Sequence, residues 1–222
     1  MNTTKRKWAL TLALVLACAA WFAEADPAEA AQGDVYPLGT CLVSGEKLGS
    51  MGAPEIFEHG GREIRLCCAG CKDAFEANAD KYLKQLDEAV VKQQKPYYPL
   101  DTCIVMGTKL GSRGEPVDYV YRNRLVRFCC SGCMEAFEDE PEQYLAKLDE
   151  AVIAKQKASY PLDTCVVMGG KLGPESVDYV SGNRLVRFCC RGCIDAFRKD
   201  PLTYLGKLDE AAGSTKSGKS AP

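Results

Sequence analysis

The sequence predicts an α+β fold made of three tandem copies of one small module, each a loop and a β-hairpin followed by helices. Three observations carry this expectation. The segment Tyr36-Pro37-Leu38-Gly39-Thr40-Cys41 returns as Tyr98-Pro99-Leu100-Asp101-Thr102-Cys103 and again as Tyr160-Pro161-Leu162-Asp163-Thr164-Cys165. A second cysteine group follows in each copy: Cys67-Cys68-Ala69-Gly70-Cys71, Cys129-Cys130-Ser131-Gly132-Cys133 and Cys189-Cys190-Arg191-Gly192-Cys193. Each copy then closes on Tyr82-Leu83, Tyr144-Leu145 or Tyr204-Leu205, leading into Leu-Asp-Glu-Ala.

The elements follow in order. Residues 1–30 read as an export signal: Lys5, Arg6 and Lys7 precede an apolar run from Trp8 to Phe22 that is short for a membrane span. It ends either at the small-x-small sites Ala23-Glu24-Ala25 and Ala28-Glu29-Ala30, or at Val15-Leu16-Ala17-Cys18, a lipobox-like ending that would leave Cys18 lipidated. The expected location is therefore the periplasm or cell envelope, with a lipid anchor at Cys18 as the one route to a membrane. The repeats span 36–91, 98–153 and 160–212, and residues 213–222, small, polar and basic, read as a disordered tail.

Within a repeat, paired glycines such as Gly45 and Gly49 bracket a tight loop after the first cysteine. The two-residue turns Gly60-Gly61, Arg122-Asn123 and Gly182-Asn183 separate β-prone segments such as 117–121 and 124–128, which predicts a hairpin. The hairpin runs into the cysteine group, where a helix begins. Pro141 and Pro201 then start a second helix, and Ala79 at the same place predicts a less sharply divided pair in the first repeat. Tyr144, Leu145, Leu148 and Val152 recur at helical spacing and form one apolar face. Tyr36, Tyr98 and Tyr160 read as packing anchors. Connectors are expected near Gln93 to Pro96 and Lys155 to Ser159.

Composition narrows function. With Lys+Arg 28 against Asp+Glu 30, the chain lacks the basic field that a nucleic-acid backbone selects. His59 is the only histidine, and its counterparts are Tyr121 and Ser181, so histidine-based acid/base catalysis is absent from the repeated unit. No Ser/His/Asp set, phosphate loop or paired-carboxylate site is visible, and no enzymatic activity is expected.

Twelve of the 13 cysteines fall four to a repeat. A module this short buries too little apolar surface to be stable without a staple, and four cysteines supply either a metal site or two disulfides. Spacing favours metal: 25, 25 and 23 residues separate the loop cysteine from the group, which sits at a helix N-terminus where thiolate is favoured. Disulfides fit an exported chain, though neighbours such as Cys129 and Cys130 make an awkward pair. The C-x-x-C segments, Cys68 to Cys71 and its counterparts, also leave thiol oxidoreductase chemistry open, without the βαβ context that accompanies it.

The pattern Phe128-Cys129-x3-Cys133-x3-Phe137-x3-Pro141-x2-Tyr144-Leu145, preceded by Cys103, resembles the TRASH and YHS domains, small modules associated with heavy-metal trafficking, resistance and sensing. That resemblance implies a treble-clef-like, zinc-ribbon-related fold with Cys41/Cys67/Cys71, Cys103/Cys129/Cys133 and Cys165/Cys189/Cys193 as ligands. Cys68, Cys130 and Cys190 are not required by the family pattern; they are read as fourth ligands, with a small buried hydrophobe as the alternative. Zn2+ or Cu+, up to one per repeat, suits such sulfur sites, and hard cations do not. Soft or borderline metal ions are the expected partners, with a metal transporter or another envelope protein beyond them. Met106 and Met168 lie three residues after the loop cysteine, where a thioether would suit Cu+; core-filling is the favoured reading, since Ser44 replaces them in the first repeat.

Overall fold

The computed structural model describes residues 34–217. The signal segment, Cys18 and the last five residues lie outside them. The described residues form three repeats, each a β-hairpin followed by two helices. The first holds β1 (Glu55–His59), β2 (Arg62–Leu66), α1 (Gly70–Ala77) and α2 (Ala79–Gln94). The second holds β3 (Val117–Tyr121), β4 (Arg124–Phe128), α3 (Gly132–Asp139) and α4 (Pro141–Gln156). The third holds β5 (Val177–Ser181), β6 (Arg184–Phe188), α5 (Gly192–Lys199) and α6 (Pro201–Ser217), whose backbone continues past residue 212. Among the described residues no helix is long and apolar enough to cross a membrane.

The hairpins pair antiparallel in one register, with Glu55 opposite Leu66, Val117 opposite Phe128 and Val177 opposite Phe188. Their turns need left-handed backbone: Gly60 and Gly61 have φ of 58° and 75°, and Arg122 and Asn123 of 47° and 67°. Asparagine accepts that region better than most side chains. The hairpin strand ends where its helix begins, which brings the cysteine group to the end of the sheet.

A repeated set of rings holds each module together. Phe75, Phe137 and Phe197 in the first helices are fully buried. Each meets an aromatic residue of its own hairpin: Phe57 at 5.5 Å, Tyr119 at 6.1 Å and Tyr179 at 5.7 Å between centroids. Each also meets the tyrosine of the following helix, Tyr82, Tyr144 or Tyr204, at 6.0, 5.9 and 6.1 Å. Truncating one of these phenylalanines would cost about 3–5 kcal/mol. His59 belongs to this set, edge-on to Phe75 at 5.2 Å.

The helix pair of the first repeat divides as sharply as the others, contrary to the expectation from Ala79. Asn78 has φ of −142°, against −139° for Glu140 and −140° for Asp200. The bend is set by packing of Phe75 against Tyr82 and by the Asn78 N–H donating to the Phe75 carbonyl at 3.0 Å, so proline marks the break without causing it.

The repeats interlock through polar side chains. The α2 helix lies on the second hairpin, and the Gln94 side chain donates to the Asn123 carbonyl and accepts from the Leu125 N–H, both at 2.8 Å. Gln156 repeats this toward Asn183 and Leu185. Asn123, fully buried, donates to the carbonyls of Glu63 at 2.8 Å and Asp34 at 3.2 Å and accepts from Arg62 Nε at 2.9 Å. Asn183 likewise reads the Leu125 carbonyl and accepts from Arg124. The second helix of each repeat contributes an ion pair as well: Arg62–Asp87 at 2.7 Å, Arg124–Asp149 at 2.5 Å and Arg184–Asp209 at 2.6 Å.

The first repeat also meets the third. Arg65 donates to the carbonyls of Arg198 at 2.7 Å and Lys199 at 3.0 Å, at the C-terminal end of α5. Its counterparts Arg127 and Arg187 instead pair with Asp118 and Asp178 across their own hairpins, at 2.6 and 2.7 Å. The first repeat has Ile56 at that aspartate position, which leaves Arg65 able to reach across.

Candidate metal centre

The loop cysteine is positioned by a short closed turn. The Gly45 N–H donates to the Cys41 carbonyl at 2.9 Å and the Cys41 N–H to the Glu46 carbonyl at 2.7 Å; Gly107/Cys103 and Gly169/Cys165 repeat the first bond at 2.8 Å each. The turn requires φ of 76°, 64° and 70° at these glycines. It aims backbone N–H groups at the sulfur: the amides of Ser44 and Met168 each lie 3.5 Å from the Sγ of Cys41 and Cys165.

Opposite this loop, the end of the hairpin and the first turn of the helix supply the remaining sulfurs. Three thiols per repeat come together, Cys41/Cys67/Cys71, Cys103/Cys129/Cys133 and Cys165/Cys189/Cys193, with the sulfurs of each set within 4.8 Å of one another. Cys67 and Cys71 stand 3.7 Å apart, Cys129 and Cys133 3.8 Å, Cys165 and Cys193 3.7 Å. A Zn–S bond of about 2.3 Å implies sulfur–sulfur edges of about 3.8 Å in a tetrahedron and about 4.0 Å in a trigonal plane. The observed spacing fits one soft ion per repeat. The twelve described cysteines are free thiols, at distances far beyond the roughly 2.05 Å of a disulfide.

Cys68, Cys130 and Cys190 stand outside these sets. Cys68 lies 3.9 Å from both Cys67 and Cys71, Cys130 lies 3.8 Å from Cys133, and Cys190 lies 3.7 Å from Cys193. They occupy the outer side, Cys190 exposed and the other two half-buried, whereas Cys41, Cys103 and Cys165 are at most 2% exposed.

Burial opposes ionisation of the loop cysteines, but hydrogen bonds outweigh it. For Cys41 these come from Ser44 and from the N–H groups of Cys67 and Val43, and they lower the thiol to about 6. Cys103 and Cys165 are lowered by the equivalent amides, from Met106, Cys129 and Val105 and from Met168, Cys189 and Val167. The helix cysteines move oppositely: burial, then hydrogen bonds with the neighbouring sulfurs, push Cys71 up to about 12 and raise Cys133 and Cys193. In each triad the loop sulfur is thus the one more easily ionised and the helix sulfur the one that holds its proton more tightly, and a cation would take that proton's place.

The first site differs from its copies. The Ser44 hydroxyl lies 3.3 Å from the Cys67 sulfur. Met106 and Met168, at the equivalent position, are 55% and 73% exposed, which corrects the expectation that they fill a core. The hairpin and helix already occupy the interior, so these side chains point outward beside the sulfur sites. His59 takes no part in a site. Sequence reasoning missed the amide cradle, whose only trace is the repeated glycine four residues after each loop cysteine, and missed the joining roles of Asn123 and Gln94. The signal was there: Gly61 replaces asparagine in the repeat with no hairpin before it.

Fold and site together define the class, a tandem array of hairpin-and-helix modules each carrying a cysteine triad suited to a metal ion. Comparison with protein families, with curated proteins and with solved structures finds no match to this chain.

Proposed function

We propose that this is an exported heavy-metal-binding protein, non-enzymatic, whose cysteine-thiolate sites of the Zn2+ or Cu+ class serve metal tolerance, buffering or delivery in the periplasm or cell envelope. The observation that carries it is the threefold recurrence of a sulfur triad whose members lie within 4.8 Å of one another, with one edge in each at 3.7–3.8 Å and one corner an amide-lined loop cysteine. The motif's resemblance to TRASH and YHS domains supports the same reading, and residues 1–30 support export. A metal transporter or another envelope protein is the natural exchange partner for such cargo.

A structural reading, in which zinc only staples modules whose surface binds another protein, is favoured by the burial of all three triad cysteines in the second repeat, at 1%, 1% and 4% exposure. Native mass spectrometry of protein purified from its exported location, with free-thiol counting, tests the metal reading. Three bound ions and reduced thiols are expected; twelve paired cysteines without metal would sink it. Cargo sites yield their ions to a competing chelator with the fold intact, whereas structural sites unfold as metal leaves.

A further inference from the structure

Each repeat contains more sulfur geometry than one triad uses. In the first, Cys67, Cys68 and Cys71 form a second triangle with edges of 3.9, 3.7 and 3.9 Å. In the second, Cys129, Cys130 and Cys133 form one with edges of 4.0, 3.8 and 3.8 Å. The two triangles of a repeat share one edge, Cys67/Cys71 or Cys129/Cys133. Their unshared corners differ in exposure in a constant direction: the loop cysteine is buried and the extra cysteine faces outward in all three copies.

We propose that the outer triangle is an entry site, which receives a soft d10 cation from a thiolate donor and passes it to the buried triad. The proposal rests on the metal-binding reading above. The donor's sulfur bond to the metal breaks as Cys68 binds. The Cys68 bond then breaks as Cys41 binds, while Cys67 and Cys71 hold the ion throughout. The cation keeps its oxidation state, each thiol that becomes a ligand gives its proton to solvent, and Cys68 regains one on release. The inner corner is shaped for retention, since its sulfur is buried and a loop amide approaches it at 3.5 Å, from Ser44 to Cys41 and from Met168 to Cys165.

The test uses the full chain and Cu(I) supplied as a thiolate complex. In the variant Cys68→Ser with Cys130→Ser and Cys190→Ser, native mass spectrometry should still count three ions. Stopped-flow loading should slow about tenfold or more, equivalent to ~1.4 kcal/mol of added barrier. The variant Cys41→Ser with Cys103→Ser and Cys165→Ser should lose retention against a chromogenic Cu(I) chelator. Unchanged loading in the outer variant, or loss of its three ions, overturns the entry site; the latter would make the outer cysteine a resident fourth ligand. The same triple change to alanine, with a circular dichroism melt, separates loss of sulfur from loss of fold. A wild-type chain that takes up no metal overturns the binding reading itself, and the entry site with it.

Discussion

Replacing Asn123 by glycine should uncouple the first two repeats, and the cost can be worked from the contacts removed. The backbone accepts the change: Gly61 holds the equivalent turn position at φ of 75°, beside 67° for Asn123. The loss is therefore confined to the carboxamide, which is fully buried and makes three hydrogen bonds, to Glu63, Asp34 and Arg62. Arg62 keeps its ion pair with Asp87, so it is weakened and not stranded. At about 1 kcal/mol per bond the variant should lose roughly 3 kcal/mol. In a chain of this length that lowers the melting midpoint by roughly 6–12 °C. Circular dichroism melts of metal-free protein measure it, and limited proteolysis should show earlier cutting between α2 and β3. A shift under about 2 °C would mean that water replaces these bonds freely, and the account of the repeats as an interlocked unit would be wrong.

Metal uptake should release protons and strengthen as pH rises, because the helix cysteine Cys71, pushed up to about 12, must give up its proton to bind. A pH-indicator titration in weak buffer checks this, and pH-independent affinity would contradict it. Cys103→Ser should remove one ion and leave two, counted by native mass spectrometry, since each repeat holds its own triad; loss of all three would point to a shared cluster. Asp34 is raised by burial, partly offset by Arg124, to about 6. The native state therefore keeps this proton between pH 3.8 and about 6 after the unfolded chain has released it, and stability falls as pH rises through that window. Asp34→Asn should remove up to ~3 kcal/mol of this pH dependence in urea titrations, and an unchanged profile would count against the burial of its charge.

Local pattern made the hairpins and helices legible. The strands 117–121 and 124–128 match β3 and β4 because a two-residue turn separates segments rich in β-branched and aromatic residues. Repetition isolated the four cysteines of each repeat from incidental ones, and the resemblance to TRASH and YHS domains implied which three of them form the triad. What escaped were properties set by distant partners. The bend at Asn78 depends on a ring pair, the exposure of Met106 and Met168 on how much space the Phe137 and Phe197 clusters fill, and the role of Gln94 on a hairpin about thirty residues later. The separation of each outer cysteine from its triad is likewise a property of the loop approaching from the far side, which spacing along the chain does not encode.

The substitution of Ile56 for aspartate has a consequence for how many copies the chain can hold. An open stack of repeats grows by duplication, because each new unit meets its neighbour as the last one did. Here the first unit is worded differently where it touches the last, and Arg65 reaches the carbonyls of Arg198 and Lys199. A fourth unit inserted by duplication would carry that end away and cost the arginine both carbonyls, leaving it Glu63 alone at 2.8 Å. The first and third of the described repeats are in this sense tied to each other, through a contact that a single residue of the opening strand makes room for.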